Sequence, residues 1–197
     1  MTVRINHGIS LVAYLPKNLI KIIPFNGTIT AYGKEFAPKV MIAPNLHVTI
    51  ASMRISKGEQ YLGKEFEGIS NELTSIWPPK TTSFELIYDQ IVLKNDSGKG
   101  TRVQLVAKSE NLGSLRQELS RFEERSFDDT YKHISTLTLV TCFGDVGQEY
   151  ESILARVNKA LKDTLPLAVK IEKLSLVYHN DSVHSRIFKK EDYFLSI

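Results

Sequence analysis

The chain has 197 residues, 42% of them apolar and 24% charged, with a formal net charge of +3. This length can bury a full core and the balance is that of an ordinary globular protein. A charge this mild excludes a non-specific coater of nucleic acid while leaving room for a local basic groove. The single cysteine, Cys142, excludes an internal disulfide framework and any multi-cysteine metal site.

Residues Met1 to His7 lack the apolar stretch of a signal peptide, and no run approaches membrane-spanning length. The expected location is therefore cytoplasmic, away from any membrane. Ile9, Leu11, Ala13 and Leu15 alternate as a strand that ends at Pro16. Asn18 caps a short predicted helix over Leu19 to Ile23, which Pro24 stops. Residues 25–43, with Gly27, Gly33 and Pro38, read as loops or a hairpin, and Leu46 to Met53 as a strand.

A helix is predicted from about Glu59 to Trp77. Leu62, Phe66, Ile69, Leu73 and Ile76 form one apolar stripe, and Pro78 and Pro79 end it. Two strands follow, over residues 83–93 and 102–108, joined by the polar stretch from Asn95 to Gly100. Asn111 is the predicted cap of a second helix with Leu112, Leu115, Leu119 and Phe122 inside. A strand over 131–141, a helix over 148–162, a strand over 171–178 and a last strand near 193–197 complete the order. Cys142, after a β-rich run, reads as a buried, inert thiol.

Two motifs carry the chemistry. His47-Val48-Thr49-Ile50 and His133-Ile134-Ser135-Thr136 both read H-x-[S/T]-x, and both lie in β-favouring stretches. In a strand, residues i and i+2 share a face, so His47 is expected beside Thr49 and His133 beside Ser135. Two imidazoles can accept and donate the protons of a displacement at phosphorus, while two hydroxyls hold phosphoryl oxygens. Each motif strand precedes an amphipathic helix and a further strand. That repeat predicts an α+β fold, a single domain over 1–197 made of two pseudo-symmetric lobes.

From these residues the chain resembles the two-histidine (2H) phosphoesterase superfamily, along nearly its whole length. That superfamily includes 2′-5′ RNA ligase-like proteins, 2′,3′-cyclic phosphodiesterases and 2′,5′-phosphodiesterases. The strand ending at Pro16 fits the pattern, as do Pro44 before the first motif and the late strand from Lys173 to Tyr178. Two departures are Ser135, where many members have Thr, and the segment Ala51 to Arg54, which lacks the Phe-Leu-Gly of bacterial members.

The resemblance implies a bilobal fold, with two antiparallel-rich sheets facing each other across a central cleft and helices outside. It also implies that His47, Thr49, His133 and Ser135 are the catalytic set. The implied activity is metal-independent phosphodiester cleavage, at RNA 2′,3′-cyclic phosphate ends or in 2′-5′ linked oligonucleotides. Two alternatives stand beside it: a non-catalytic RNA- or nucleotide-binding module, and a degrader of cyclic nucleotide or oligonucleotide immune signals.

No cofactor is expected, and no metal, since neither motif has the spacing or the carboxylate of a metal site. The expected partner is the RNA end, oligonucleotide or cyclic nucleotide itself, bound by a monomer. For base stacking the candidates are Tyr178 and Tyr14, with core packing as the rival reading of each. Arg186, near Lys189 and Lys190, is a candidate for the border of the substrate groove. His7, His179 and His184 lack a hydroxyl two residues on and read as exposed loop residues.

Overall fold

The computed structural model describes residues 7–15, 29–31, 34–36, 39–40, 47–56, 62–96, 100–123, 131–142, 155, 158–159, 162–163, 165–180 and 186–197. The predicted helix over 19–23, nearly all of that over 148–162, and His184 lie outside these residues.

Strand β1 (His7–Tyr14) is buried from Gly8 to Ala13, on both faces. It pairs antiparallel on one side with β5 (His47–Ser56) and on the other with β10 (Lys173–His179), which in turn pairs with β11 (Ile187–Phe194). The first sheet therefore runs β11-β10-β1-β5. A second sheet contains β4 (Lys39–Val40), β6 (Phe84–Asp96), β7 (Gly100–Lys108), β8 (Ile134–Cys142) and β9 (Leu167–Ile171), in the order β4-β8-β7-β6-β9. A small hairpin joins β2 (Ile29–Ala31) to β3 (Lys34–Phe36). This is the antiparallel, two-lobed α+β architecture that the order of elements predicts.

Register decides what each face of the first sheet carries. Tyr14 pairs with His47, Val12 with both Thr49 and Ser175, and Ser175 with Asp192. Paired residues share a face, so His47, Thr49, Tyr14, Ser175 and Asp192 project from one side. The other side carries Ile9, Leu11, Leu174, Leu176, Tyr178 and Tyr193, all buried. Helix α1 (Gly63–Ile76) covers that apolar side with Phe66, Ile69 and Leu73. Tyr193 and Glu191 both bond the Ser70 hydroxyl from the sheet, fixing the helix there. Two bulges in the β1–β5 pairing skip Met53 and Ile50, so Ala51 pairs with Leu11 on the apolar side instead of following Thr49.

Helix α2 (Glu110–Leu119) buries Leu112, Leu115 and Leu119 and continues into a 3-10 turn, Ser120–Phe122. Its cap is Ser109, whose hydroxyl accepts from the Leu112 amide at 3.2 Å; the predicted cap, Asn111, lies one residue inside the helix. The predicted strand over 171–178 is two strands, β9 and β10, parted at Glu172. Among the described residues no helix is long and apolar enough to cross a membrane.

Candidate active site

β5 ends the first sheet, and in the second β8 lies between β7 and β4; among the described residues β4 meets it at Val140 and Thr141, so the motif end of β8 has no strand there opposite β7. One side chain joins the two motifs. Arg116 of α2 donates from Nη2 to the Thr49 carbonyl at 2.7 Å and from Nη1 to the Ile134 carbonyl at 2.8 Å. The main chains of both motifs thus lie within one guanidinium's span. Arg116 is only 4% exposed. Burial lowers its pKa to about 10, against the attraction of Glu123 and Tyr88, which leaves it cationic at neutral pH.

His47 is half-buried, with its ring edge-on to Tyr14 at 6.0 Å between centroids. Thr49 is half-buried on the same face. Tyr14 is itself capped by the ammonium of Lys190, 5.2 Å from the ring centre. Burial, and then the charge of Asp192, push the Tyr14 phenol up to about 12, so it stays a neutral donor. Asp192 accepts from Ser175 at 2.6 Å and from Lys173 at 2.9 Å, and pairs with Lys190 at 3.3 Å. Burial raises its pKa, but these three donors and the Lys190 charge outweigh that and leave it below the usual carboxylate value.

His133 departs from the predicted strand. It closes a turn at 131–133, and β8 begins one residue later, so the i, i+2 rule does not govern its direction. Its position comes from α2. The Ser109 amide donates to the His133 carbonyl at 2.9 Å, and the ring packs against Gly113. Nδ1 stands 3.2 Å from a Glu110 carboxylate oxygen, an ion pair by distance without hydrogen-bond alignment. Nδ1 is buried while the side chain is 30% exposed, so the exposed part is the remainder of the ring.

Ser135 is a correction. It pairs with Ala107, which pairs with Tyr88, and this row lies on the packed face of the second sheet. Its hydroxyl is 1% exposed and bonded to the Tyr88 phenol at 2.8 Å, not turned to solvent. Burial pushes Tyr88 up to about 12, against the lowering effect of Ser135 and Arg116.

Tyr178 is a second correction. It is fully buried on the face under α1, opposite to His47, and its phenol bonds His7 Nδ1 at 2.8 Å and the Leu62 amide at 3.2 Å. The core reading holds because Leu174, Leu176 and Tyr178 share the apolar side. Arg186 is a third. It precedes Ile187, which pairs with His179 and so lies level with Gly8, whereas His47 pairs with Tyr14. Six residues of extended β1 put about 20 Å between those ends. Arg186 there stacks on Phe188 at 4.9 Å. Nor are His7 and His179 exposed loop residues: His7 starts β1, and His179, in β10, bonds Ser10 at 3.0 Å.

Among the described residues no three His, Cys, Asp or Glu side chains gather as they would around a metal ion. Sequence reasoning missed Arg116, Gly113 and Tyr88. Gly113, an isolated glycine inside a helical pattern, was the one signal on offer.

No family model matches the chain, and no curated protein matches it. Solved structures do. A crystal structure of a phosphoesterase aligns with 97% of this chain and 99% of its own, at 15% identity and a TM-score of 0.57. The structure of Kluyveromyces marxianus Usb1 covers 98% and 99% at 11% identity and a TM-score of 0.51. E. coli LigT complexed with 3′-AMP covers 95% and 98% at 11% identity and a TM-score of 0.50. At such identities the likeness is one of fold: the chain has the bilobal α+β fold of the two-histidine phosphoesterases.

Proposed function

We propose that this chain is a metal-independent phosphodiesterase acting on RNA 2′,3′-cyclic phosphate ends or 2′-5′ linked oligonucleotides. The observation that supports it best is the guanidinium bridge between the Thr49 and Ile134 carbonyls, which holds the two histidine motifs along one seam. In this reading one imidazole takes the proton of the attacking water or ribose hydroxyl, and the other protonates the leaving ribose oxygen. The Thr49 hydroxyl, and the Tyr14 phenol beside His47, donate to phosphoryl oxygens. Ser135 acts indirectly, by fixing the start of β8 against Tyr88. The nucleotide bound by LigT, a neighbour in fold, fits the same class of ligand.

The test is a substrate panel of a 2′,3′-cyclic phosphate end, a 2′-5′ linkage and a small cyclic nucleotide, with His47→Ala and His133→Ala as controls. Each substitution should remove about 10²–10⁴-fold of the rate on the best substrate with the fold intact. Undiminished turnover in the folded double variant would place the chemistry elsewhere.

The burial of Ser135 favours one rival, a nucleotide-binding module without turnover. Tight binding of 3′-AMP with no cleavage of any member of the panel would decide for it.

A further inference from the structure

The main-chain carbonyls of four consecutive residues, 131–134, frame the second histidine. All four accept hydrogen bonds from helix α2 or its cap. Arg116 Nη1 donates to Tyr131 at 3.1 Å, to Lys132 at 2.8 Å and to Ile134 at 2.8 Å, and the Ser109 amide donates to His133 at 2.9 Å. The two hydrogens of Nη1 serve three acceptors, so at least one is shared. Nη2 crosses the seam to Thr49 at 2.7 Å. With Arg116 buried, water cannot cheaply replace these donors.

The arrangement answers a problem set by topology. The first motif is on an edge strand, and the second leads into the end of β8 that β4 does not reach among the described residues, so carbonyls on both sides need donors from outside the ladder. A guanidinium offers a planar fork of five N–H groups, able to serve both sides at once. An ammonium is a compact point charge whose three donors radiate from one atom, and it does not span the gap in the same way.

We propose that Arg116 is a positioning residue, whose guanidinium sets the distance between the strand carrying His47 and Thr49 and the turn carrying His133. This rests on the two-histidine reading above. Proton transfer at both ends of one phosphorus depends on the spacing of two rings, and a misplacement of about 1 Å costs on the order of 10²-fold in rate. Arg116 does not touch substrate, so its loss acts through the histidines.

The test compares Arg116→Lys and Arg116→Gln with the unaltered chain, alone and in the His133→Ala background. Steady-state rates use the best substrate of the panel. Arg116→Lys keeps the cation and most of the stem, so it reports even where Arg116→Gln does not fold. We expect kcat to fall about 10²-fold with KM nearly unchanged, and Arg116→Lys to add little once His133 is gone. Unchanged kcat in folded Arg116→Lys overturns the proposal, as does a full additive loss in the His133→Ala background. A second readout is independent of turnover: inorganic phosphate, followed by the ring resonances of His47 and His133. Both rings should respond in the unaltered chain, and one in Arg116→Lys. If both still respond together in the variant, positioning by Arg116 is wrong. Absence of cleavage by the unaltered chain sinks the phosphodiesterase reading separately.

Discussion

The imidazole of His133 lies against the main chain of Gly113 so closely that a Cβ on residue 113 would stand 2.1 Å from Nδ1 and 2.3 Å from Cε1. Both distances are shorter than real Cβ contacts show, so a side chain at 113 would have to displace the ring. Glycine at 113 is therefore a hole for the histidine.

Gly113→Ala should separate helix stability from activity. In an ordinary helix interior the change stabilises by up to about 1 kcal/mol. Here the methyl must push the imidazole out of place, and activity should drop on the order of 10²-fold. The double variant Gly113→Ala, His133→Ala should recover the helix gain in thermal melts relative to His133→Ala alone. Full activity in folded Gly113→Ala would show that the ring position is immaterial.

Tyr88→Phe should leave the buried Ser135 hydroxyl without its phenol, at a cost of about 1–3 kcal/mol. Adding Ser135→Ala should cost less than the sum of the two single changes. The pH dependence has a definite sign. The phenol titrates near 12 in the fold against 10.0 unfolded, so above about 10 the unfolded chain releases the proton first and stability falls as pH rises. Tyr88→Phe lacks that loss, and its stability gap to the unaltered chain should narrow between about pH 10 and 12. Arg116, lowered to about 10, acts with the opposite sign, but it is present in both proteins. Denaturant melts across that range measure the gap, and a constant gap would contradict the raised phenol.

Lys190→Ala should raise KM several-fold and leave kcat nearly intact. The ammonium stands over Tyr14, next to His47, where it adds attraction for an anionic substrate without moving a proton. The effect should weaken as salt rises. A fall in kcat at unchanged KM would instead give Lys190 a part in the chemical step.

Activity is expected to survive excess EDTA and to fall on both sides of an optimal pH. The two motifs offer two imidazoles and the Thr49 hydroxyl and contain no carboxylate, and in the proposed mechanism one ring must be neutral while the other is protonated. Loss with EDTA and rescue by a divalent cation would point to a metallophosphoesterase. A flat profile through neutrality would remove histidine acid–base catalysis.

Strands β1, β5, β6, β7, β8 and β10 and both described helices were legible because they depend on local period, whereas β9 was missed and β11 was placed too late in the chain. The stripe Leu62, Phe66, Ile69, Leu73 is one helical face in sequence and in space. The shared face of His47 and Thr49 was legible for the same reason, since β5 alternates regularly at that end, whereas the pairing of Tyr14 with His47 was not. What depends on pairing was not. The direction of Ser135 is decided by the row through Ala107 to Tyr88, and the burial of Tyr178 by which face α1 covers. Arg116 is an ordinary surface arginine by composition; the need it meets arises when the two motifs converge. His7 was read as exposed because nothing in the sequence shows that β1 lies between two strands, with Tyr178 within reach of its ring.

The first and second sheets are separate ladders among the described strands, with the histidine motifs along their common margin. A lobe can therefore open without breaking the other's hydrogen bonds, and amide exchange should reveal two blocks of protection. The margin that carries the two motifs, belonging to neither block's interior, is then expected to yield first under denaturant or heat. An activity seated there, as proposed above, would be lost before either half loses its shape.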